Sequence, residues 1–540
     1  MKFFKNIKGI VIVVAFFALC CPSLSYADNL GEKRSFYVDS GYDLNKRVSL
    51  SAVLLKVTNR AYFYIDESWW SFAPQNDIYA ALGILGDEFD RTIYPGLTSA
   101  YGQEWTPGID KDTRITVLIH PMAKGSGGYF RSNDEYYTVQ VPGSNEREMV
   151  YLNTDYLKDR ALPSFLAHEF THLIQFNQKN KIYSIDDDVW LNEMRAEYAP
   201  TLLGYDDSYV GSYLENRVQI FSEQPFNPIT EWRDQQADYG VINIFAQYLV
   251  SQYGRQILID SLHSQSVGIE SLNNALQKNG YRKDFSQIFT DWTIAVYVND
   301  CSLGQFYCFK TANLKNLRVY PKINFLPLSG QSILSVTEIT KDWAGNWFKI
   351  IGGAGNVKLD FTNNDGAIFN IPYIIQKSNG SYVINFLTVN ENETRHVVVS
   401  DFGKETTALI IIPFTKSKSS DFTDNEQFRS FTFIVAASIA SVTPPANNNK
   451  AIPNGFLFKK NLGVGSISQD VVYLKILLQQ EGCLSGVANT TLFASKTLAA
   501  VKCLQNKYKT QISGFAGYNI ASTGYVGSGT RSQLNLLLPK

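Results

Sequence analysis

The stretch FLAHEFTHLIQF, residues 165–176, constrains this chain more than any other, because it sets two of the five histidines four residues apart inside an otherwise apolar run. On an α-helix, positions i and i+4 share a face, so His168 and His172 point at one spot. Phe165, Leu166, Ala167, Phe170, Leu173, Ile174 and Phe176 make such a helix apolar nearly all round, which requires that it be buried. Burying two imidazoles and the Glu169 carboxylate is costly unless something satisfies them. A divalent metal does so: the histidines supply two ligands, and Glu169, about 100° round the helix from His168, can reach a metal-held water. The competing reading is a core helix whose histidines are satisfied by neighbours, since a five-letter pattern arises by chance in long chains.

A second signal lowers that chance. In WLNEMRAEYA, residues 190–199, Glu193 follows His172 by 21 positions, and Glu197 lies one helical turn after Glu193. One carboxylate can ligate a metal while the other holds a ligating histidine by its second ring nitrogen. A solvated acidic face is the alternative, but it sits awkwardly beside Trp190, Leu191, Met194 and Tyr198. The longer three-histidine pattern is excluded, because Gln175 and Gln178 stand where it needs Gly and His. The third ligand must come from elsewhere, and Glu193 is the foremost candidate. Zinc suits two imidazoles plus a carboxylate, with the fourth position left for water. Such a metal lowers the water pKa towards 7, and Glu169 would take its proton and pass it to a leaving amine.

At 540 residues the chain needs several cores, and 45% hydrophobic with 14% aromatic residues supplies them. From 28 to 155, strand-like runs RAYFYID (60–66), RITVLIH (114–120) and EMVYLNT (148–154) mix with a helical pattern over 76–94. From 156 to 318 apolar residues recur at helical spacing, as in VINIFAQYLVSQYG (241–254), which predicts an α+β lobe followed by a helical one. From 319 to 440 short alternating segments with Asn, Asp and Gly punctuation predict a β-sandwich, in which His396 is the single histidine. Residues 441–455, rich in Pro and Asn, read as a linker, and 456–540 as a small helical domain.

The first 27 residues carry Lys2, Lys5 and Lys8 ahead of an apolar run from Ile10 to Cys21, then Ser25-Tyr26-Ala27. This predicts a cleaved secretory leader and a mature chain starting at Asp28, with no later run apolar enough to span a membrane. The whole chain has 49 basic and 50 acidic residues; losing three lysines leaves a net charge of -4, which offers nothing to a nucleic acid. Cys301 with Cys308 and Cys483 with Cys503 form two local pairs, predicting two disulfides in an exported protein.

HEFTH followed by WLNEMRAEYA resembles the gluzincin metallopeptidases, and the run EMVYLNT, HEFTHLIQFN, WLNEMRAEYA and DYGVINIFAQYLVSQYG is similar to the hyicolysin family of secreted neutral metallopeptidases, over roughly residues 60 to 300. The resemblance implies a zincin-type two-lobe fold, Zn2+ held by His168, His172 and Glu193, Glu169 as the catalytic acid and base, and Glu197 as an outer partner. It also implies a donor that stabilises the oxyanion, for which Tyr239 is the first candidate by position and His263 the second. The strand EMVYLNT is the expected edge on which an extended peptide substrate adds. The tail, from LGVGSISQDVVYLKILLQQEG to TGYVGSGTRSQLN, resembles the three-helix peptidoglycan-binding domain of bacterial wall enzymes. The sequence thus leads to a secreted zinc endopeptidase near the cell wall, with a peptidoglycan peptide hydrolase and a non-catalytic wall-binding protein as the alternatives.

Overall fold

The computed structural model describes residues 27–327, 332–438, 452–487, 489–517 and 520–538. The expected leader over 1–27 therefore lies outside the described residues except for Ala27, as does most of the expected linker over 441–455. No helix among the described residues is long and apolar enough to cross a membrane. The chain divides after Asn177 into two compact units.

The first unit is a mixed α and β layer. Strands β1 (Lys33–Tyr37), β2 (Ser49–Val57), β3 (Ala61–Asp66), β4 (Ile115–His120), β5 (Gly128–Phe130) and β6 (Met149–Asn153) form one sheet in the order β1-β2-β3-β4-β6-β5. β3, β4 and β6 run parallel, and every residue in them is buried, as expected for strands covered on both faces. Phe36, Leu50, Leu54, Tyr62, Tyr64, Leu118 and Tyr151 fill one side. After the single turn α1 (Glu67–Trp70), the helical pattern over 76–94 becomes α2 (Gln75–Glu88), a π-turn over Phe89–Ile93, and α3 (Tyr94–Tyr101). Helix α4 (Leu162–Gln175), with Pro163 in its first turn, packs on β5 and β6. The zinc-motif helix thus belongs with the sheet.

One expectation is corrected here. EMVYLNT is β6, which lies between β4 and β5 rather than at an edge. The edge next to α4 is β5, only three residues long and antiparallel to β6.

The second unit opens with six helices, α5 (Val189–Leu202), α6 (Tyr213–Glu223), α7 (Gln236–Tyr253), α8 (Gln256–Leu262), α9 (Gly268–Lys278) and α10 (Phe285–Val298). Helix α7 packs against both α5 and α6. The expected sandwich is a set of ten strands: β7 (Lys322–Leu326), β8 (Ser332–Thr340), β9 (Phe348–Gly352), β10 (Gly355–Asn363), β11 (Phe369–Lys377), β12 (Tyr382–Val389), β13 (Thr394–Phe402), β14 (Thr406–Ile411), β15 (Phe414–Thr415) and β16 (Arg429–Ser438). They enclose a core built on Phe348, Leu359, Phe361, Phe369, Phe431 and Phe433.

Among the described residues after 452, four helical segments appear where three were expected: α11 (Gln469–Gln480), α12 (Ser495–Lys507), α13 (Lys509–Ala516) and α14 (Ser528–Leu537). The extra one arises because the chain leaves helical geometry at Tyr508 alone, between α12 and α13. These helices have a core of their own around Leu474, Phe493, Val501 and Leu534.

Candidate metal centre

Helix α4 is held from its far side by aromatic packing. Phe170 meets Phe89 edge-on at 5.1 Å and stacks on Tyr94 at 5.5 Å, so the helix cannot roll without losing both contacts. That leaves His168 and His172 on the opposite side, with ring centroids 4.9 Å apart and Nε2 atoms 3.2 Å apart. His168 is buried and His172 half-buried.

Glu169 is buried under β5. A Cβ built on Gly128 would stand 2.6 Å from the Tyr151 carbonyl oxygen, 2.9 Å from Glu169 Cγ and 3.1 Å from Glu169 Oε1. Only glycine allows the strand to come this close to the carboxylate. Two residues on, the Phe130 ring lies nearly parallel to the His172 imidazole at 6.3 Å. Strand positions 128 and 130 therefore follow helix positions 169 and 172.

One ligand atom from each of His168, His172 and Glu193 lies within 4.8 Å of the others, and among the described residues this is the group that could hold a metal ion. The donor set fits zinc. Two nitrogens about 2.0–2.1 Å from one ion at a tetrahedral angle stand roughly 3.3 Å apart, close to the 3.2 Å between the Nε2 atoms. Two imidazoles and one carboxylate also form a usual three-ligand set for a catalytic site.

Glu197, one turn beyond Glu193 on α5, is wholly buried. Its carboxylate accepts from Arg217 Nε at 2.8 Å, Arg217 Nη2 at 2.9 Å, Asn243 Nδ2 at 3.1 Å and the Tyr213 hydroxyl. Burial works against the Arg217 charge, but the Glu197 carboxylate outweighs it and raises the arginine further above its ordinary range. Arg217 also lies over the Tyr239 ring at 5.0 Å. Tyr239 is in the first turn of α7, half-buried, edge-on to Trp232, and its hydroxyl donates to Asp234 Oδ1 at 2.6 Å. His263 caps the end of α8, and its carbonyl accepts from the Tyr183 hydroxyl at 3.2 Å.

Farther along α5, Arg195 is fully buried and donates to Asp187 Oδ2 at 2.9 Å, with Lys179 at 3.7 Å from the same oxygen. This pins α5 two residues after Glu193. Sequence reasoning passed over Gly128, Arg217 and Asp187. The doubled glycine in KGSGGYF hints at a close backbone approach, whereas no local pattern announces Arg217, which lies 20 residues from the carboxylate it binds.

Both expected disulfides are formed, with Cα atoms 5.0 Å apart for Cys301–Cys308 and 5.6 Å for Cys483–Cys503. In the C-terminal helices a cavity of about 210 Å³ is lined by Gln505, Thr523, Tyr525, Ser528 and Thr530 among others.

No protein-family model matches the chain. Among solved structures, a periplasmic inhibitor of g-type lysozyme, PliG from Aeromonas hydrophila, is 10% identical, covering 22% of this chain and 98% of its own, with a TM-score of 0.15. The pre-peptidase C-terminal domain of a collagenase from Bacillus anthracis is 9% identical, covering 22% and 96%, with a TM-score of 0.14. Likeness at that level carries no argument. Neutral metalloprotease ShpI of Staphylococcus hyicus is 27% identical over 239 residues, 39% of this chain and 52% of that protein. The chain thus spans about half the length of that relative, and the likeness supports a relationship to the neutral metalloproteases.

Proposed function

We propose that this chain is an exported zinc endopeptidase, held near the cell wall by residues 456–540. The observation that carries the reading is the convergence of His168, His172 and Glu193 with Glu169 alongside on the same helix. His168, His172 and Glu193 would hold the ion. Zinc, when bound, supplies a Lewis acid and a water acidic enough to ionise near neutral pH.

Glu169 then acts as the proton carrier. Its carboxylate takes a proton from the attacking water and delivers it to the leaving amine nitrogen. Gly128 keeps the strand backbone against this carboxylate. Beyond it, the outer edge of β5 offers backbone groups on which an extended peptide can add as a strand. Glu197 steadies α5, and through it Glu193, by its bonds to Arg217, Tyr213 and Asn243; a role in orienting a histidine ligand is part of this proposal. Tyr239 remains the proposed oxyanion donor, and its hydroxyl would have to leave Asp234 to serve. His263 is the second candidate.

The likeness to ShpI supports peptide-bond hydrolysis. The resemblance of residues 456–540 to peptidoglycan-binding domains favours a second reading, in which the bonds cut are those of peptidoglycan peptides. The intact set of four site residues counts against a non-catalytic wall-binding protein. The deciding experiment compares the wild-type chain with Glu169→Gln for bound zinc and for cleavage of casein and purified peptidoglycan. One zinc per chain in both, with casein cleavage in the wild type alone, is the expected result; cleavage of peptidoglycan alone replaces it with the second reading, and absence of zinc from both proteins overturns it.

A further inference from the structure

Asp28 is an unusual place for a chain to become buried. Residues near a terminus or a processing junction are ordinarily exposed unless tied down, yet the Asp28 side chain is 1% exposed. Arg147 grips its carboxylate with both Nη atoms, at 2.6 and 3.1 Å, the Tyr64 hydroxyl donates at 2.8 Å, and Arg34 closes the remaining side. Arg147 Nη1 also donates to Thr116 on β4, so Asp28, several residues ahead of β1, is bolted to the middle of the sheet.

The main-chain nitrogen of Asp28 is placed just as specifically. It stands 3.3 Å from the Tyr62 hydroxyl, which donates to Asp112 Oδ2 at 2.6 Å and accepts from Arg114 Nη1 at 3.1 Å. Charged groups around it include the carboxylates of Asp28, Glu32, Asp110, Asp112 and, beyond Asp110, Glu148, and the guanidiniums of Arg34, Arg114 and Arg147. Burial pushes the Asp110 carboxyl up to about 6, against the pull of Arg147. The small-x-small pattern Ser25-Tyr26-Ala27 places a leader cut immediately before this residue.

We infer that the sheet unit is built to receive its own processed N-terminus: the α-ammonium group released at Asp28 seats beside the Tyr62 hydroxyl and Asp112 and completes the buried ionic cluster. In the processing step, water adds across the Ala27–Asp28 peptide bond under a leader-removing peptidase, the Ala27 carbonyl becomes a carboxylate, and the Asp28 nitrogen leaves as an amine that takes up a proton. An amide nitrogen there donates one hydrogen and carries no charge; an ammonium donates three and brings a positive charge to the carboxylates. The sheet unit, which also carries His168 and His172, therefore reaches full stability only after the leader is removed. This inference rests on the reading of residues 1–27 as a cleaved leader, and not on the zinc chemistry.

The test begins with N-terminal sequencing and intact mass of the exported protein, expected to start at Asp28. The full chain starting at Asp28 is then compared with one that retains Ser25-Tyr26-Ala27 and with an Nα-acetylated Asp28 chain, in which every side chain is unchanged. The free Asp28 form should melt about 2–4 °C above the other two at pH 7. An α-amino group titrates near 8 in an unfolded chain and higher beside carboxylates, so the gap is fully present below pH 8 and closes by about pH 10. Asp112→Asn should shrink the gap in the free form. A start at another residue overturns the leader reading and the inference with it. An Asp28 start with equal melting of all three forms, at unchanged zinc content, overturns the inference alone.

Discussion

Gly128 of β5 and Glu169 of α4 are in such close register that a single methyl on the glycine would lie 2.9 Å from the glutamate Cγ. The strand backbone stands directly against the glutamate side chain. Gly128→Ala should push Glu169 aside while leaving the two histidines in place. The expected result is a fall in kcat/KM on the order of 10- to 100-fold with zinc content unchanged, read by peptide hydrolysis beside metal analysis. Unaltered kinetics would show that the position of this carboxylate is not critical.

The histidines can be tested separately from the base. His172→Ala removes one of the two nitrogens that stand 3.2 Å apart and should bring bound zinc after dialysis from about one per chain to near none. Glu169→Gln should keep the metal and lose about 10²- to 10⁴-fold in kcat. Retention of zinc by the alanine variant would move the metal elsewhere.

Arg217 grips the buried Glu197 carboxylate through both Nε and Nη2. Arg217→Ala would take a counter-charge away from a carboxylate inside the protein, a change that typically costs about 3–5 kcal/mol. Denaturant unfolding should register the loss, and Arg217→Lys should recover part of it. A loss near zero would mean that Tyr213 and Asn243 satisfy Glu197 unaided.

His120, fully buried on β4, has its pKa pushed down to about 4 by burial, against the pull of Asp43 at 3.3 Å. The folded chain keeps this ring neutral while the unfolded chain takes up a proton below pH 6.5. Its contribution is therefore present above pH 6.5 and is lost as the pH falls towards 4, by roughly 3 kcal/mol in all. His120→Gln, which keeps a donor for Pro121 and Tyr129, should flatten the stability profile between pH 6.5 and 4. An identical slope in the two proteins would assign acid unfolding to other groups.

The C-terminal helices have a separate core, so a chain ending before residue 456 should fold. It should hydrolyse casein at the wild-type rate but no longer sediment with purified peptidoglycan. Undiminished sedimentation would place wall binding outside residues 456–540.

How much of this could be read in the sequence follows from where each signal lies. RAYFYID, RITVLIH and EMVYLNT are β3, β4 and β6, because a strand covered on both faces is a near-continuous apolar run. HEFTH was recognisable because its spacing is the helix period itself. The true edge strand, β5, is only three residues long and begins at the second glycine of a pair, too short to show a period, so the longer run EMVYLNT stands out instead. β1 and β2 went unremarked because KRSFY and SLSAVLLKV mix exposed and buried positions irregularly. Arg217 and Arg147 reach their carboxylates across 20 and 119 residues, and such pairings are created only when the chain folds.

The sandwich meets the helices of its own unit through aromatic rings. Trp343 packs on Phe285 at 4.9 Å and Phe289 at 5.4 Å, Trp347 Nε1 donates to the Thr293 carbonyl at 2.8 Å, and the Lys341 ammonium lies 2.8 Å from Glu231 Oε2. A chain cut at residue 318 would strip the cover from Phe285, Phe289 and Trp292 and leave Glu231 buried without its cation. Recombination can trade a module away only where few contacts cross the break. This junction has no such break, so the ten-stranded segment and α10 stand or fall as one piece.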